Sequence, residues 1–220
     1  MGENTIDATF FSVLESTRAM RRLKPDPVPG ELIERILRAA ICAPSGGNNQ
    51  NWSFIVCEDP DIKQRVQVYY KKAFDTYVGP HYEAQRTNPP PGMDEASFER
   101  QIQRVSHLTD HFHHAPVWII ACLDTGPRPP NYLSGASIYP AVQNMLLAAR
   151  ALGLGATLTT RHGLYAEEVD AIFGLPETVH SFAILPIGYP EGKFGPVRRG
   201  SLGDVVHRDR WGTDYGAFSN

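Results

Sequence analysis

Between Ser137 and Leu152 the chain places Ile138, Val142, Met145, Leu146, Ala148, Ala149 and Leu152 at helical spacing, which leaves almost no polar face. A helix apolar nearly all round must be buried on nearly all sides. That demand constrains the fold more than any other stretch of the sequence. The chain has 220 residues, 42% hydrophobic and 20% charged, enough for one domain with a sizeable core or one compact subunit of an oligomer. Two arrangements meet the demand: a central helix wrapped by its own chain, or a helix covered by a partner subunit.

The rest of the chain alternates helical and strand patterns. Helices are predicted over Thr9–Thr17, Glu31–Ile41, Asp61–Tyr77 and Glu95–Phe112, and Ser134 is placed to cap the helix that runs to Leu152. Trp52–Cys57 reads as a short buried strand, and further strands are expected at Pro116–Leu123, Gly155–Thr159 and Phe182–Gly188. The proline-rich stretch from Gly79 to Gly92 should break regular structure. From Tyr189 onward the pattern is loop-like, a tail expected to lack packing of its own. No internal repeat or second-domain boundary interrupts the chain, so 1–220 reads as a single domain.

Charge and cysteine usage exclude several classes. A net charge of −3 gives no basic surface for nucleic acid. The longest apolar run, Ala115–Leu123, is too short to span a bilayer, and acids rather than basic residues occupy Met1–Asp7. Cys42, Cys57 and Cys122 have no C-x-x-C spacing and lie in apolar segments, which suits buried thiols in a reducing compartment. A soluble, cytoplasmic protein without membrane or nucleic-acid partners is expected.

Chemistry concentrates in four segments. Ser16–Lys24 carries Arg18, Arg21 and Arg22, either an anion site for a phosphate or a solvated basic helix end. Ala43–Trp52 reads A-P-S-G-G-N-N-Q-N-W, with more amides than a turn requires and free backbone N–H groups suited to the edge of a flat polar ligand. Gly153–Arg161 lacks the third glycine and the preceding strand of a dinucleotide fingerprint, so a strand ending at Thr159–Thr160 or plain turn chemistry remains. Gly188-Tyr189-Pro190, Gly195–Arg199 and Asp209–Gly212 close the set, with Arg198 and Arg199 either joining the anion site or solvated.

In their order and spacing, from Ser16 to Gly212, these segments resemble the nitroreductase family. The resemblance implies an α+β fold with a central, mostly antiparallel sheet flanked by helices. It also implies an intertwined homodimer with FMN at the subunit interface. The Ser137–Leu152 helix would form the dimer core, and 189–220 would be a C-terminal extension wrapping the partner. Residue by residue, it implies that Arg18, Ala19 and Arg21 contact the flavin and that Arg199, with Arg198, closes the phosphate site. Pro44, Ser45, Gly46, Asn48 and Gln50 would come from the partner chain. Leu158, Thr159 and Thr160 would lie along the ring system, with a backbone N–H near Thr160 at N5. The chain departs from the family pattern in Ala19 for a common serine, Asn51 for a frequent proline, and the large Arg161 beside the flavin.

The function so implied is an FMN-dependent oxidoreductase without an obligatory side-chain acid or base. It would pass two electrons from NADPH or NADH, in ping-pong order, to a small nitroaromatic, quinone or activated alkene. The alternatives are a non-catalytic flavin-binding or sequestering protein, and the deiodinase-like or flavin-modifying chemistry of other family members. His107, His111, His113 and His114 form a conspicuous cluster, and His107 and His111 are one helical turn apart. No H-E-x-x-H pattern or cysteine pair accompanies them, so no metal site is expected. Tyr69, Tyr70, Phe74, Tyr77 and Tyr82 are read as core or interface residues rather than a substrate channel.

Overall fold

The computed structural model describes residues 10–216. Expectations for Met1–Asp7, for the helix start at Thr9 and for tail residues 217–220 lie outside the described residues. The chain forms α1 (Phe10–Ser16), α2 (Gly30–Ala40), β1 (Trp52–Cys57), α3 (Pro60–Ala73), α4 (Gly79–Ala84) and α5 (Glu95–His111). It continues with β2 (Val117–Asp124), α6 (Gly135–Ala151), β3 (Gly155–Ala156), α7 (Ala166–Phe173) and β4 (Val179–Gly188). The strands pair antiparallel throughout, in the order β1-β2-β4-β3. This is the α+β architecture expected of the sequence.

The sheet is covered on both faces, and β2 explains how. Val117, Ile119, Ala121 and Leu123 point to one face and pack with α2 and α6. Trp118, Ile120 and Cys122 point to the other and pack with α3, the end of α5 and α7. A strand buried on both faces reads as a continuous apolar run, which is what Ala115–Leu123 is. Among the described residues no helix is long and apolar enough to cross a membrane. β1 is only half-buried, with Val56 exposed, because it forms one edge of the sheet.

α6 divides its surface between two fates. Ile138, Ala141, Val142, Met145 and Ala149 are fully enclosed. Leu146, Leu147, Ala148 and Leu152 remain half-buried, although α1 and α2 lie against the helix. One chain covers only part of this apolar surface. Ser134 does not cap the helix as expected: it is already helical, and its Oγ accepts from the Asn131 N–H at 3.2 Å.

Other elements differ from expectation for local reasons. α3 is capped by Asp59, whose carboxylate accepts from the N–H groups of Asp61 and Ile62 at 2.8 and 3.1 Å. Beyond Ala73 it does not break at Gly79 but widens into a π turn, Phe74–Val78, and continues as α4. Pro80 follows just after this π turn, in the first turn of α4. β3 pairs only through Gly155 and Ala156, and Thr159 returns as a single bridge to Ile184. Cys57 and Cys122 are buried as expected, and burial pushes the Cys122 thiol up to about 12. Cys42 is exposed, because it follows the last turn of α2.

His162, in the turn after Thr160, is completely buried, with Nε2 3.4 Å from the Ser181 carbonyl oxygen. Burial holds its pKa down at about 4, against 6.5 for a free imidazole. The stability gained by keeping it neutral is intact above pH 6.5 and is lost as the pH falls toward 4. That loss is about 3 kcal/mol. The urea midpoint should therefore drop between pH 7 and pH 4.5, and His162→Gln should flatten that drop. Asp170 is pushed up by burial, a contribution of opposite sign. Comparison with the variant isolates the histidine, and parallel profiles would place the acid sensitivity elsewhere.

Candidate functional site

The arginine segment is docked on its own sheet. α1 stops where the Thr17 hydroxyl turns back to the Val13 carbonyl, donating at 2.6 Å. The chain then runs extended beside β3. The Met20 N–H donates to the Ala156 carbonyl at 3.0 Å, and the Thr157 hydroxyl donates to the Met20 carbonyl at 3.0 Å. On its other side it pairs with the segment after β4. The Lys24 N–H donates to Tyr189 O at 2.8 Å, and the Glu191 N–H to Arg22 O at 3.1 Å. Buried Met20 anchors this crossing, while Arg18 and Ala19 stay exposed and Arg21 is half-buried.

The segment after Tyr189 therefore packs on its own chain, contrary to the expectation of a tail without packing. The Arg18 Nη2 donates to Lys193 O at 2.8 Å, and the Val197 N–H donates to Glu15 O at 2.7 Å. Arg150, near the end of α6, donates to the Ser16 hydroxyl at 2.9 Å and stacks on Phe194, 4.1 Å from its centroid. These contacts bring exposed Arg198 and Arg199 next to the segment that carries Arg18. The Arg199 Nη1 donates to the Arg198 carbonyl at 2.8 Å. Beyond Arg199 the described hydrogen bonds of the tail are local.

Arg21 points toward the other helical layer. Its guanidinium feels Tyr70 of α3, Tyr82 of α4, Arg104 of α5 and Arg161, and burial holds its pKa below the usual value. Arg161 is also half-buried and shifted down by burial. It lies over the Tyr70 ring at 4.4 Å and the Phe74 ring at 5.0 Å, and its Nη1 donates to Thr109 Oγ1 at 2.6 Å. Among the described residues no carboxylate forms an ion pair with Arg18, Arg21, Arg161, Arg198 or Arg199. Partly desolvated cations without counter-charges are costly unless something anionic joins them.

Leu158, Thr159 and Thr160 lead from β3 to Arg161. Leu158 and Thr160 face outward, while Thr159 is buried. The Thr159 N–H donates to Ile184 O at 3.2 Å, and its hydroxyl donates to the Tyr70 hydroxyl at 3.0 Å. A backbone donor for a ligand in this stretch therefore cannot come from Thr159, and the N–H groups of Leu158 and Thr160 remain.

The amide-rich loop, Pro44–Gln50, does not join this group within one chain. Gly46 N–H donates to the Ser137 hydroxyl of α6 at 3.0 Å, and Asn51 pairs with the Asp124 backbone at the end of β2. Thr159 bridges Ile184, which pairs with Ile120. Asn51 leads into β1 at the opposite edge of the sheet, beside Asp124. With ordinary strand spacing the two stretches lie roughly 20 Å apart. The loop itself is exposed and left-handed at Gly47, Asn48 and Gln50, with φ of 59°, 55° and 49°; glycine and asparagine take this region readily, so the strain sits at Gln50. Gln50 N–H donates to Ser45 Oγ at 3.0 Å, and Gln50 Nε2 donates to Asn48 Oδ1 at 3.1 Å, which holds that geometry. Strain maintained on an open surface loop points to function.

The histidines lie in two close pairs, one stacked and one tilted. The rings of His107 and His111 are 4.2 Å apart and those of His113 and His114 4.0 Å apart. Among the described residues no group of three His, Cys, Asp or Glu side chains can hold a metal ion. Burial and cationic neighbours push His107 and His113 below their usual pKa. With Arg21, Leu23 and Glu191, His107, His111 and His114 line a cavity of about 250 Å³. Sequence reasoning missed the grouping of Arg21 with Arg104 and Arg161. Its one legible signal was the departure at Arg161.

The fold and these arginines define an α+β protein that gathers cations without acidic partners at one edge of its sheet. The chain belongs to the nitroreductase family, whose profile matches residues 14–189. A protein of Methanothermobacter thermautotrophicus called "Putative NADH dehydrogenase/NAD(P)H nitroreductase" is 29% identical over 205 residues, spanning 91% of this chain and 87% of its own. An iodotyrosine deiodinase of Haliscomenobacter hydrossis is 29% identical over 192 residues, spanning 86% and 83%. The chain spans about two thirds of the length of the vertebrate deiodinases it also matches. A crystal structure of oxidized iodotyrosine deiodinase bound to FMN and 3-iodo-L-tyrosine superposes with a TM-score of 0.70 at 23% identity, over 92% of this chain and 99% of that one.

Proposed function

We propose that this protein is an FMN-dependent oxidoreductase that works as a homodimer. The observation that carries the reading is the half-buried Arg21, without an acidic partner and close to Arg161, which follows the Leu158–Thr160 stretch. Arg18, Arg198 and Arg199 fit a phosphate, which takes charge-assisted and bidentate hydrogen bonds. Ala19 contributes only backbone, and Arg21 reaches the pyrimidine edge. Leu158, Thr159 and Thr160 line the ring system, with the Thr160 N–H as the donor.

A second copy completes the site. The loop with Pro44, Ser45, Gly46, Asn48 and Gln50 is too far from the arginines of its own chain, so the partner's loop supplies the other wall. Phe10, Phe11, Tyr132 and Leu133 are 64%, 69%, 89% and 63% exposed, apolar surface that a partner would cover. The half-buried side of α6 and the tail beyond Arg199 belong to the same interface.

Bound FMN supplies a two-electron carrier, taking hydride from NADPH or NADH and giving it to a small organic acceptor such as a nitroaromatic, quinone or activated alkene. The protein binds, orients and excludes water, and one open face serves donor and acceptor in turn, in ping-pong order. The purified protein should show flavin absorbance that bleaches on anaerobic addition of NADPH or NADH. A flavin that stays oxidised under excess of both would sink the reductase reading.

Reductive dehalogenation is the second reading, supported by the deiodinase relatives at 29% identity and below. It would cleave a carbon–iodine bond with two electrons and a proton, releasing iodide. Iodide release from 3-iodotyrosine under dithionite distinguishes it from nitro reduction.

A further inference from the structure

We propose that Arg161 selects the acceptor: the site takes aromatic compounds that carry a carboxylate, held by this guanidinium. The proposal rests on the flavin-site reading for its location and on the geometry around Arg161 for its chemistry. Arg161 directly follows Thr160, the nominated donor to the flavin ring. An anion bound there sits beside the reacting face.

Three contacts fix the guanidinium without neutralising it. The Tyr70 and Phe74 rings lie beneath it at 4.4 and 5.0 Å. Thr109 is buried, and its hydroxyl donates to Val105 O at 2.8 Å, which turns an oxygen lone pair toward the Arg161 Nη1 at 2.6 Å. A guanidinium has five N–H donors, and among the described residues this one makes a single hydrogen bond. The groups that act on it electrostatically are Tyr70, Tyr82 and Arg21, none of them a carboxylate. Arg161 is half-buried, and its unpaired guanidinium nitrogens stay open to solvent, where a ligand can reach them. Here the remaining donors and the second cation, Arg21, leave an anionic partner to be supplied from outside.

The planar fork matches a carboxylate in two parallel hydrogen bonds, and the stacked rings hold its plane. An amide of the same shape offers one acceptor and no charge, so it forfeits most of that interaction. Thr109 acts as a positioning residue, because its buried hydroxyl is engaged by Val105 O and the Arg161 guanidinium and acts on a ligand only through the arginine.

The test is calorimetric titration of the FMN-loaded protein with benzoate and with benzamide. Benzoate should bind at least about tenfold tighter, the effect of one hydrogen bond to a charged group. In Arg161→Gln the preference should fall to about twofold or less. In Thr109→Val, which keeps the charge and loses its aim, it should fall part way. A purely structural role would weaken both ligands alike. Equal affinities in the unaltered protein, no measurable benzoate binding, or a preference surviving Arg161→Gln would overturn the proposal. Should Arg161→Gln fold poorly, Arg161→Lys serves, with the preference expected to shrink because the bidentate fork is gone. Calorimetry needs no reduction of the flavin. A benzoate preference in a protein whose flavin resists both NADPH and NADH sinks the reductase reading alone, and bleaching without the preference sinks this one alone.

Discussion

Gly155→Val should lower the stability of the protein by about 2–3 kcal/mol and remove most of its capacity for FMN. A Cβ at Gly155 would stand 2.9 Å from Leu23 Cδ2, 2.9 Å from Met20 Cβ and 3.2 Å from Pro190 Cβ. Leu23 could rotate away, but Met20 Cβ is fixed to its backbone, and that backbone is hydrogen-bonded to Ala156 and Thr157. Relief requires the arginine segment to lift off β3. The same shift disturbs the Lys24–Tyr189 and Glu191–Arg22 hydrogen bonds, so Arg18, Arg21 and the Arg198–Arg199 segment lose their common scaffold. The urea midpoint and the ratio of flavin to protein after reconstitution measure both effects. A variant with unchanged midpoint and full flavin would show that this crossing is not what positions the arginines.

Arg18→Ala combined with Arg199→Ala should purify colourless, with FMN affinity reduced about a hundredfold or more. Each arginine is assigned a charge-assisted phosphate contact of about 1.5–3 kcal/mol, and two such losses compound. Both side chains are exposed, and each makes one recorded hydrogen bond, to a backbone carbonyl. Stability should therefore change little, and the urea midpoint separates lost binding from lost folding. Fluorescence titration with free FMN gives the affinity. Retention of full affinity would move the phosphate to Arg22 or Lys24, the other cations of that segment.

Much of the fold could be read from local pattern. The spacing of Ile33 and Ile36 marks α2, and the uninterrupted apolar run at Ala115–Leu123 marks a strand buried on both faces. These signals are strong because helix and strand periodicity is written into neighbouring residues. Where expectation and structure part, a local rule was overridden by context. Pro80 follows a π turn rather than ending the helix, so α4 continues through a stretch that looked like a break. Ser134 is pre-empted by the Asn131 turn. The tail after Tyr189 lacks periodicity, yet it pairs with residues 22–24, and pairing across the chain leaves no periodic trace.

The candidate site was legible in its parts. The three arginines near the start, the amide loop and the Thr159–Thr160 pair are dense local clusters of unusual chemistry, and each could be found without a fold. What those clusters do to one another was not legible. Arg21 and Arg161 are far apart in sequence and become neighbours only because the arginine segment docks on β3 while the stretch that follows β3 docks on α3. Their unpaired charge is a property of that meeting. The loop at Pro44–Gln50 lies at the far edge of the sheet for an equally geometric reason: it precedes β1, while the arginines pack beside β3. Sequence by itself determined which residues form helices and strands and which segments carry recognition chemistry, because both depend on neighbours along the chain. Only the tertiary structure decided which cations share a space, which hydroxyl aims Arg161 and which strand edge each half of the site occupies. Burial, Coulomb repulsion and hydrogen-bond geometry act through distance in space, and only folding sets those distances.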